Sequence, residues 1–341
     1  MLSNRRRRPS LILVLLVSSL PCAAQSEYIR IGSIEFFGTA GIDIPKARTQ
    51  VAARESQNIS WDAVEPLQQQ LRNQLKSALG HPATDAAAVC CDSNGELMLY
   101  IGLGGANSRS VPHLPVPQGS SCLPESALDL YDRTRDANAK AVQSGDNAED
   151  DSLGYALGHN PGLRQAQLEM REFALHKLAT IENALQDCSQ IKHRRAAAEL
   201  LGYADPSNRQ VSELVRASED SDSTVRNNAL RALELLSSSK KVGVPGDTFV
   251  PLLNSDLWTD RNKAGLLFMH LTSSGDSKLL SALASQSFDS LVEMARWKDK
   301  GHALAYRIVL GRIAGLDEKV TEEMANQGRT EELIVAAQKK R

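Results

Sequence analysis

Glu169, Glu172 and His176 fall at i, i+3 and i+7, a spacing that lines up side chains on one helix face and could present ligands to a metal ion. A solvated charged face explains the same spacing more simply, so no metal is expected there. The other histidines (His81, His113, His159, His193, His270 and His302) are scattered, with neither H-E-x-x-H nor C-x-x-C company. "IGLGGAN" fails as a dinucleotide loop because Asn107 stands where the third glycine belongs, and no phosphate-binding lysine follows it. There is no G-x-S-x-G elbow for a nucleophilic serine. Cys122 would need a positioned histidine to act as a nucleophile, and a disulfide is the expected fate. The chain is therefore read as non-enzymatic and without a cofactor.

Four cysteines lie beyond residue 24: Cys90, Cys91, Cys122 and Cys188. Four cysteines allow three pairings. Adjacent residues on a strand point to opposite faces, so Cys90 and Cys91 are poor partners for each other. The expected bridge joins Cys91, or Cys90, to Cys122; four buried thiols are the alternative. The start of the chain suggests an oxidising destination. Arg5–Arg8 precede the apolar run "LILVLLVSSL" and the small residues of "PCAAQ", the layout of an export signal over 1–24. That run is too short to span a bilayer, and no membrane span is expected after its removal. The signal carries four arginines and no acids, so its loss takes the net charge from −2 to −6. An exported acidic protein, periplasmic or secreted, is a poor candidate for nucleic-acid binding.

The elements that follow read as mostly α, with a small α+β domain at the N-terminus. Residues 27–104 begin with the alternating strand "YIRIGSIEFFG". A short helix within 43–56 and a helix carrying Trp61, Val64, Leu67, Leu71, Leu75 and Leu79 follow, stopped by Gly80. "DAAAVCCD" and "ELMLYIGLG" then form strands joined through Asn94-Gly95, a strong hairpin signal. This β-α-α-β-β order resembles the POTRA domain of outer-membrane assembly proteins, and the resemblance implies a docking module. No barrel-forming strands follow, so a barrel-assembly role is not implied. Residues 105–122, with Pro112, Pro115 and Pro117, read as a linker, and 123–189 as a helical connecting region with a polar break at 143–152. Within it, "DDSLGYALGHNPGLR" holds Tyr155 and His159 and reads either as an ordered turn or as a binding loop.

From residue 190 to 341 the chain repeats itself. An offset of 35 carries Arg226 to Arg261, Asn227 to Asn262, Ala229 to Ala264, Leu233 to Phe268 and Leu236 to Leu271. An earlier copy, 32 residues upstream, has Arg194, Ala197, Leu201 and Ala204. Alanine lets helices approach closely, while Leu233 and Phe268 fill the space between units. Each copy follows another predicted helix: "SNRQVSELVRAS" with a Ser207-x-x-Gln210 capping box, "DTFVPLLN", and "QSFDSLVEMARW".

"DSDSTVRNNALRALELL" resembles the second helix of a HEAT repeat, of the HEAT-like type found in phycobilisome lyases and in armadillo-type superhelices. The matching residues are Asp220, Asp222, Val225, Arg226, Ala229 and Leu233, and the resemblance extends over about 190–315. It implies an α-solenoid of stacked helix pairs, similar to that of exported bacterial proteins. Arg226 and Arg261 are expected to tie neighbouring turns together through Asp220, Asp222 and Asp260. Asn227, Trp258 and Asn262 are expected on the surface, with Tyr155 and His159, as an interaction face; capping the core is the alternative for Trp258. The expected function is a non-catalytic scaffold or adaptor for protein partners in the cell envelope. The alternative is a lyase-like or small-molecule-binding protein that assists an enzyme, against which export argues.

Overall fold

In the computed structural model, which describes residues 27–146 and 148–341, the alternating residues Tyr28–Phe37 form strand β1. The predicted export signal lies outside the described residues. The N-terminal sheet is completed by β2 (Asn58–Ser60), β3 (Asp85–Val89) and β4 (Leu97–Gly102), in the order β2-β1-β4-β3. β3 and β4 form the expected hairpin, with Gly95 at φ 75 in its turn. The short edge strand β2 was not foreseen. β1 is longer than β4 and meets it only from Ile31 onward, in parallel, while residues 28–30 pair with β2 on the other side.

Helices α1 (Ile44–Gln50), α2 (Val64–Gln74) and α3 (Lys76–Leu79) cover one face of this sheet. Ile31, Ile34, Leu97, Leu99 and Ile101 meet Ala47, Leu71 and Leu75 there in one apolar core. β4 is buried along its whole length because its other face is covered too. Phe37, Met98 and Tyr100 belong to the core of the helical part.

That part is built from α4 (Glu125–Gln143), α5 (Pro161–Asp187), α6 (Ile191–Leu201), α7 (Asn208–Ala217), α8 (Ser223–Ser239), α9 (Trp258–Leu271), α10 (Ser277–Gln286), α11 (Phe288–Ala295), α12 (Lys300–Ile313), α13 (Glu318–Asn326) and α14 (Thr330–Gln338). With the three helices on the sheet, this gives fourteen α-helices among the described residues, and the protein is mostly α with a small α+β N-terminal part. No helix among the described residues is long and apolar enough to cross a membrane.

The helices form a stacked array. α6 packs on α8, α8 on α9 and α9 on α12, while α7 and α11 back α8 and α12 respectively. Asp222, Asp276, Asp299 and Asp317 each accept backbone N–H groups at the start of a helix, a cap that contributes about 1 kcal/mol. "DTFVPLLN" is a 3-10 segment rather than an α-helix, since Pro251 inside it has no N–H to donate. Ser207 caps α7 as expected, but Gln210 does not complete the box. Its buried amide donates instead to Leu201 O and Ala204 O, tying α7 to the end of α6.

The arginines of the repeat are among the most buried side chains of the protein: Arg194 is 0% exposed, Arg226 1% and Arg261 0%. Each donates backwards to carbonyls of the turn before its own helix and forwards to an acid of the next unit. Arg194 bonds Cys188 O, Ser189 O and the Asp220 carboxylate (2.8 and 3.3 Å). Arg226 bonds Asp220 O, Ser221 O and Asp260 (3.0 and 3.1 Å). Arg261 bonds Ser255 O and Glu293 (3.1 Å), while Asp222 is held by Arg195. Ala229, Leu233, Ala264 and Phe268 are all 0% exposed between these rungs.

Two expectations are corrected here. Trp258 and Asn262 do not lie on the surface; both are buried, Trp258 against the sheet. The Trp258 ring stacks on Tyr100 at 4.9 Å, and Tyr100 also packs on Trp297 at 4.8 Å and places its hydroxyl 2.6 Å from His302 Nδ1. Asp85 of β3 accepts the Trp258 N–H at 2.8 Å, capping α9 from a different part of the chain. Glu293 accepts from Gly38 N, Thr39 N, the Thr39 hydroxyl (2.6 Å) and Asn107 Nδ2. One face of the sheet thus joins the core of the array and is tied to it by polar contacts, while the other face keeps a core of its own.

The second correction concerns the cysteines. Cys122 pairs with Cys188, and Cys90 with Cys91. The opposite-faces argument applies only on a strand, and β3 ends at Val89, before either cysteine. Cys122 is placed by the Pro-rich stretch 105–122, which runs as a strap along the turns of the array. Arg109 bonds Asn254 O and Asp256 N, Leu114 N bonds Glu219 O, and Gly119 O accepts from Ser189 N. The strap therefore ends beside Cys188. Peptide mapping under denaturing, non-reducing conditions should recover one cross-linked species joining the Cys122 and Cys188 peptides; a Cys91–Cys122 link would contradict this path.

Candidate functional site

The inner side of the array holds a cavity of about 520 Å³ bounded by α4, α5, α6, α8 and the segment 148–160. In that segment β5 (Glu149–Asp150) pairs with β6 (Leu157–Gly158), making a small hairpin that lies against α8. Gly154, at φ 82, brings the hairpin tip to Ser239, and Lys241 Nζ holds Leu153 O at 3.0 Å. At its base, Gly158 N donates to Gln167 of α5 at 2.6 Å. The segment is thus an ordered element and also a wall of the cavity.

Tyr155 contributes its ring to this wall. Arg171 stacks over it at 4.7 Å, and Tyr203 lies 5.9 Å away. His159 is exposed and is not part of the lining. Asn227 does line the cavity, half-buried, with Thr259 donating to its Oδ1 at 3.1 Å. Of the five residues expected to form an interaction face, the structure brings Asn227 and Tyr155 together, leaves His159 outside, and buries Trp258 and Asn262.

The charges in the cavity come from residues outside that set. Arg231 of α8 is paired with Glu149 of the hairpin. Arg135 of α4 donates to the Tyr131 hydroxyl at 3.0 Å. Glu199 of α6 points into the same space, and among the described residues its carboxylate has neither an ion pair nor a hydrogen bond. Burial pushes its acid up to about 7, opposed by the more distant charges of Arg135 and Arg231. Lys263, one helix along on α9, is pulled down to about 8 by burial and then by the charge of Arg231. The repeat register was the available signal for this pair: Glu199 and Arg231 each stand five residues after a ladder arginine.

The lining offers amides, phenols, two arginines and one unpaired carboxyl. No nucleophile-and-base pair is among them, and the arrangement suits recognition by charge and hydrogen bonding. Glu169 is occupied by Arg133 at 2.9 Å, and His176 Nδ1 meets the backbone oxygen of Glu172. The three residues at metal-like spacing therefore do not converge. Among the described residues, one His/Cys/acid group has ligand atoms close enough for a metal: Cys122, Cys188 and His193, away from the cavity. No protein-family model matches the chain, and a search of curated proteins finds no match either.

Proposed function

We propose that this protein is an exported, non-catalytic interaction protein of HEAT type, and that its inner cavity receives a basic side chain from a protein partner. The observation that carries this reading is Glu199, a carboxyl held in a 520 Å³ cavity without a partner of its own. A half-buried carboxylate with no ion pair of its own is costly, and an incoming lysine or arginine would relieve that cost. Asn138, Asn227, Asn228 and Gln167 around it provide donors and acceptors for a peptide backbone, and Tyr155 and Tyr203 provide flat apolar surface. The HEAT assignment draws support from the register of Ala229, Leu233, Ala264 and Phe268 and from the arginine ladder between units. Helix pairs of that kind depend on stacking for their core and leave one side of the array free for a partner.

Fluorescence polarisation of labelled lysine-containing peptides, compared with their acetyl-lysine counterparts, tests the proposal. Glu199→Gln is expected to weaken the lysine peptides about tenfold, the equivalent of ~1.4 kcal/mol, and to leave the acetylated ones unchanged. Equal binding of both forms would refute it. The pH dependence has a definite sign. Glu199 must ionise to take a cation, so affinity should rise as pH rises through about 7. Without ligand the same shift acts the other way. The native acid holds its proton at pH values where the unfolded acid, near 4.5, has lost it. Stability should therefore fall as pH rises from about 4.5 to about 7, and Glu199→Gln should flatten that slope.

A further inference from the structure

His193, in the first turn of α6, carries a ring nitrogen, Nδ1, that is buried without a hydrogen-bond partner among the described residues. A buried polar atom left unmatched is destabilising by about 1–3 kcal/mol, so such atoms are rare and call for a reason. The side chain lies beside the disulfide at the end of the strap. One ring nitrogen of His193 and the sulfurs of Cys122 and Cys188 all lie within 4.8 Å of one another. Cys188 is buried, while Cys122 and His193 are half-buried, so the group is neither sealed nor fully open to water.

We propose that, when the bridge is reduced, Cys122, Cys188 and His193 form a binding site for one zinc-class divalent cation. Two thiolates and one imidazole select borderline and soft cations over calcium or magnesium, and they leave a fourth tetrahedral position for water. The complex of a divalent cation with two thiolates and a neutral imidazole carries no net charge, which suits a half-buried position.

Disulfide and metal are alternative states of the same sulfurs. A dithiol reductant passes two electrons and two protons to the Cys122–Cys188 bond, giving two thiols and leaving the reductant as its own disulfide. The cation then takes both sulfurs as thiolates, releasing the two protons to solvent, and His193 binds as neutral imidazole. In either state the end of the strap stays fastened to the turn between α5 and α6. The site is separate from the inner cavity and does not depend on the function proposed for it.

The test uses the chain carrying Cys90→Ser and Cys91→Ser, so that the other two sulfurs cannot contribute. The protein is reduced with a phosphine under anaerobic conditions and titrated with cobalt(II), then with zinc against a chromophoric chelator. The expected result is one equivalent of cobalt with thiolate charge-transfer and tetrahedral d–d absorption, displaced by zinc, and no uptake by the oxidised protein. His193→Ala should weaken zinc by about tenfold or more and alter the cobalt spectrum. This variant keeps both cysteines, so it can be folded in the oxidised state and checked by circular dichroism before reduction. No uptake by the reduced chain, or uptake with unchanged affinity and spectrum in His193→Ala, overturns the proposal.

Discussion

Replacing Arg226 with alanine is expected to lower the unfolding free energy by about 3–5 kcal/mol, the loss typical when one member of a buried ion pair is removed. The guanidinium and the Asp260 carboxylate are each 1% exposed and meet through two hydrogen bonds, so water cannot replace the missing partner. The same arginine also satisfies Asp220 O and Ser221 O, and those acceptors lose a donor as well. Asp260 keeps one bond, from Ser255 Oγ at 2.9 Å, which offsets a small part of the loss. Urea denaturation of Arg226→Ala, Asp260→Leu and Arg226→Met/Asp260→Leu measures the coupling directly. The double variant should be more stable than Arg226→Ala, because it leaves no unpaired charge behind. A cost below about 1 kcal/mol for Arg226→Ala, or a double variant as unstable as the two singles combined, would contradict the ladder as a source of cohesion.

The second large effect is expected at Glu293. Its two oxygens gather Gly38 N, Thr39 N, the Thr39 hydroxyl, Asn107 Nδ2 and Arg261, joining three separated parts of the chain. Glu293→Ala removes every one of these acceptors and leaves Arg261 buried with a missing counter-charge, at a cost of about 3 kcal/mol or more. The loss should also be localised. Hydrogen exchange at residues 37–40 and 105–109 should speed up, while α6 to α8 keep their protection. Glu293→Gln retains one acceptor oxygen and the shape of the side chain, so its effect should be smaller. A uniform loss of protection across the chain would show that Glu293 does not act at this junction in particular.

Much of the helical part was legible because its signals are local. The offset of 35 between Arg226 and Arg261 marks equivalent helices, and the alanines and leucines at helical spacing identify the buried face. Trp258 and Asn262 were placed wrongly because the repeat gives the position of a residue only relative to its neighbours in the array. What buries Trp258 is Tyr100 of the sheet, more than 150 positions away in the chain, and no periodicity reports such a contact. The cysteine pairing failed for a similar reason, since it depends on the path of the strap across three turns. Glu199 carries no signal of its own in the sequence, since a glutamate in "AAAELLGY" looks like ordinary helix surface. The hairpin and α4 closing over it make that surface a cavity.

The strap visits the turns at Asn254, Glu219 and Ser189 in that order, opposite to their order along the chain. In an array whose units touch only their neighbours, a terminal unit can fray without disturbing the next. Here a single segment is threaded along the rungs from one side, like a rail fixed across a ladder. Opening any one rung pulls on the rail, and through it on the others. The units should therefore melt together as one cooperative body, and a pull on either end would meet resistance from the whole row.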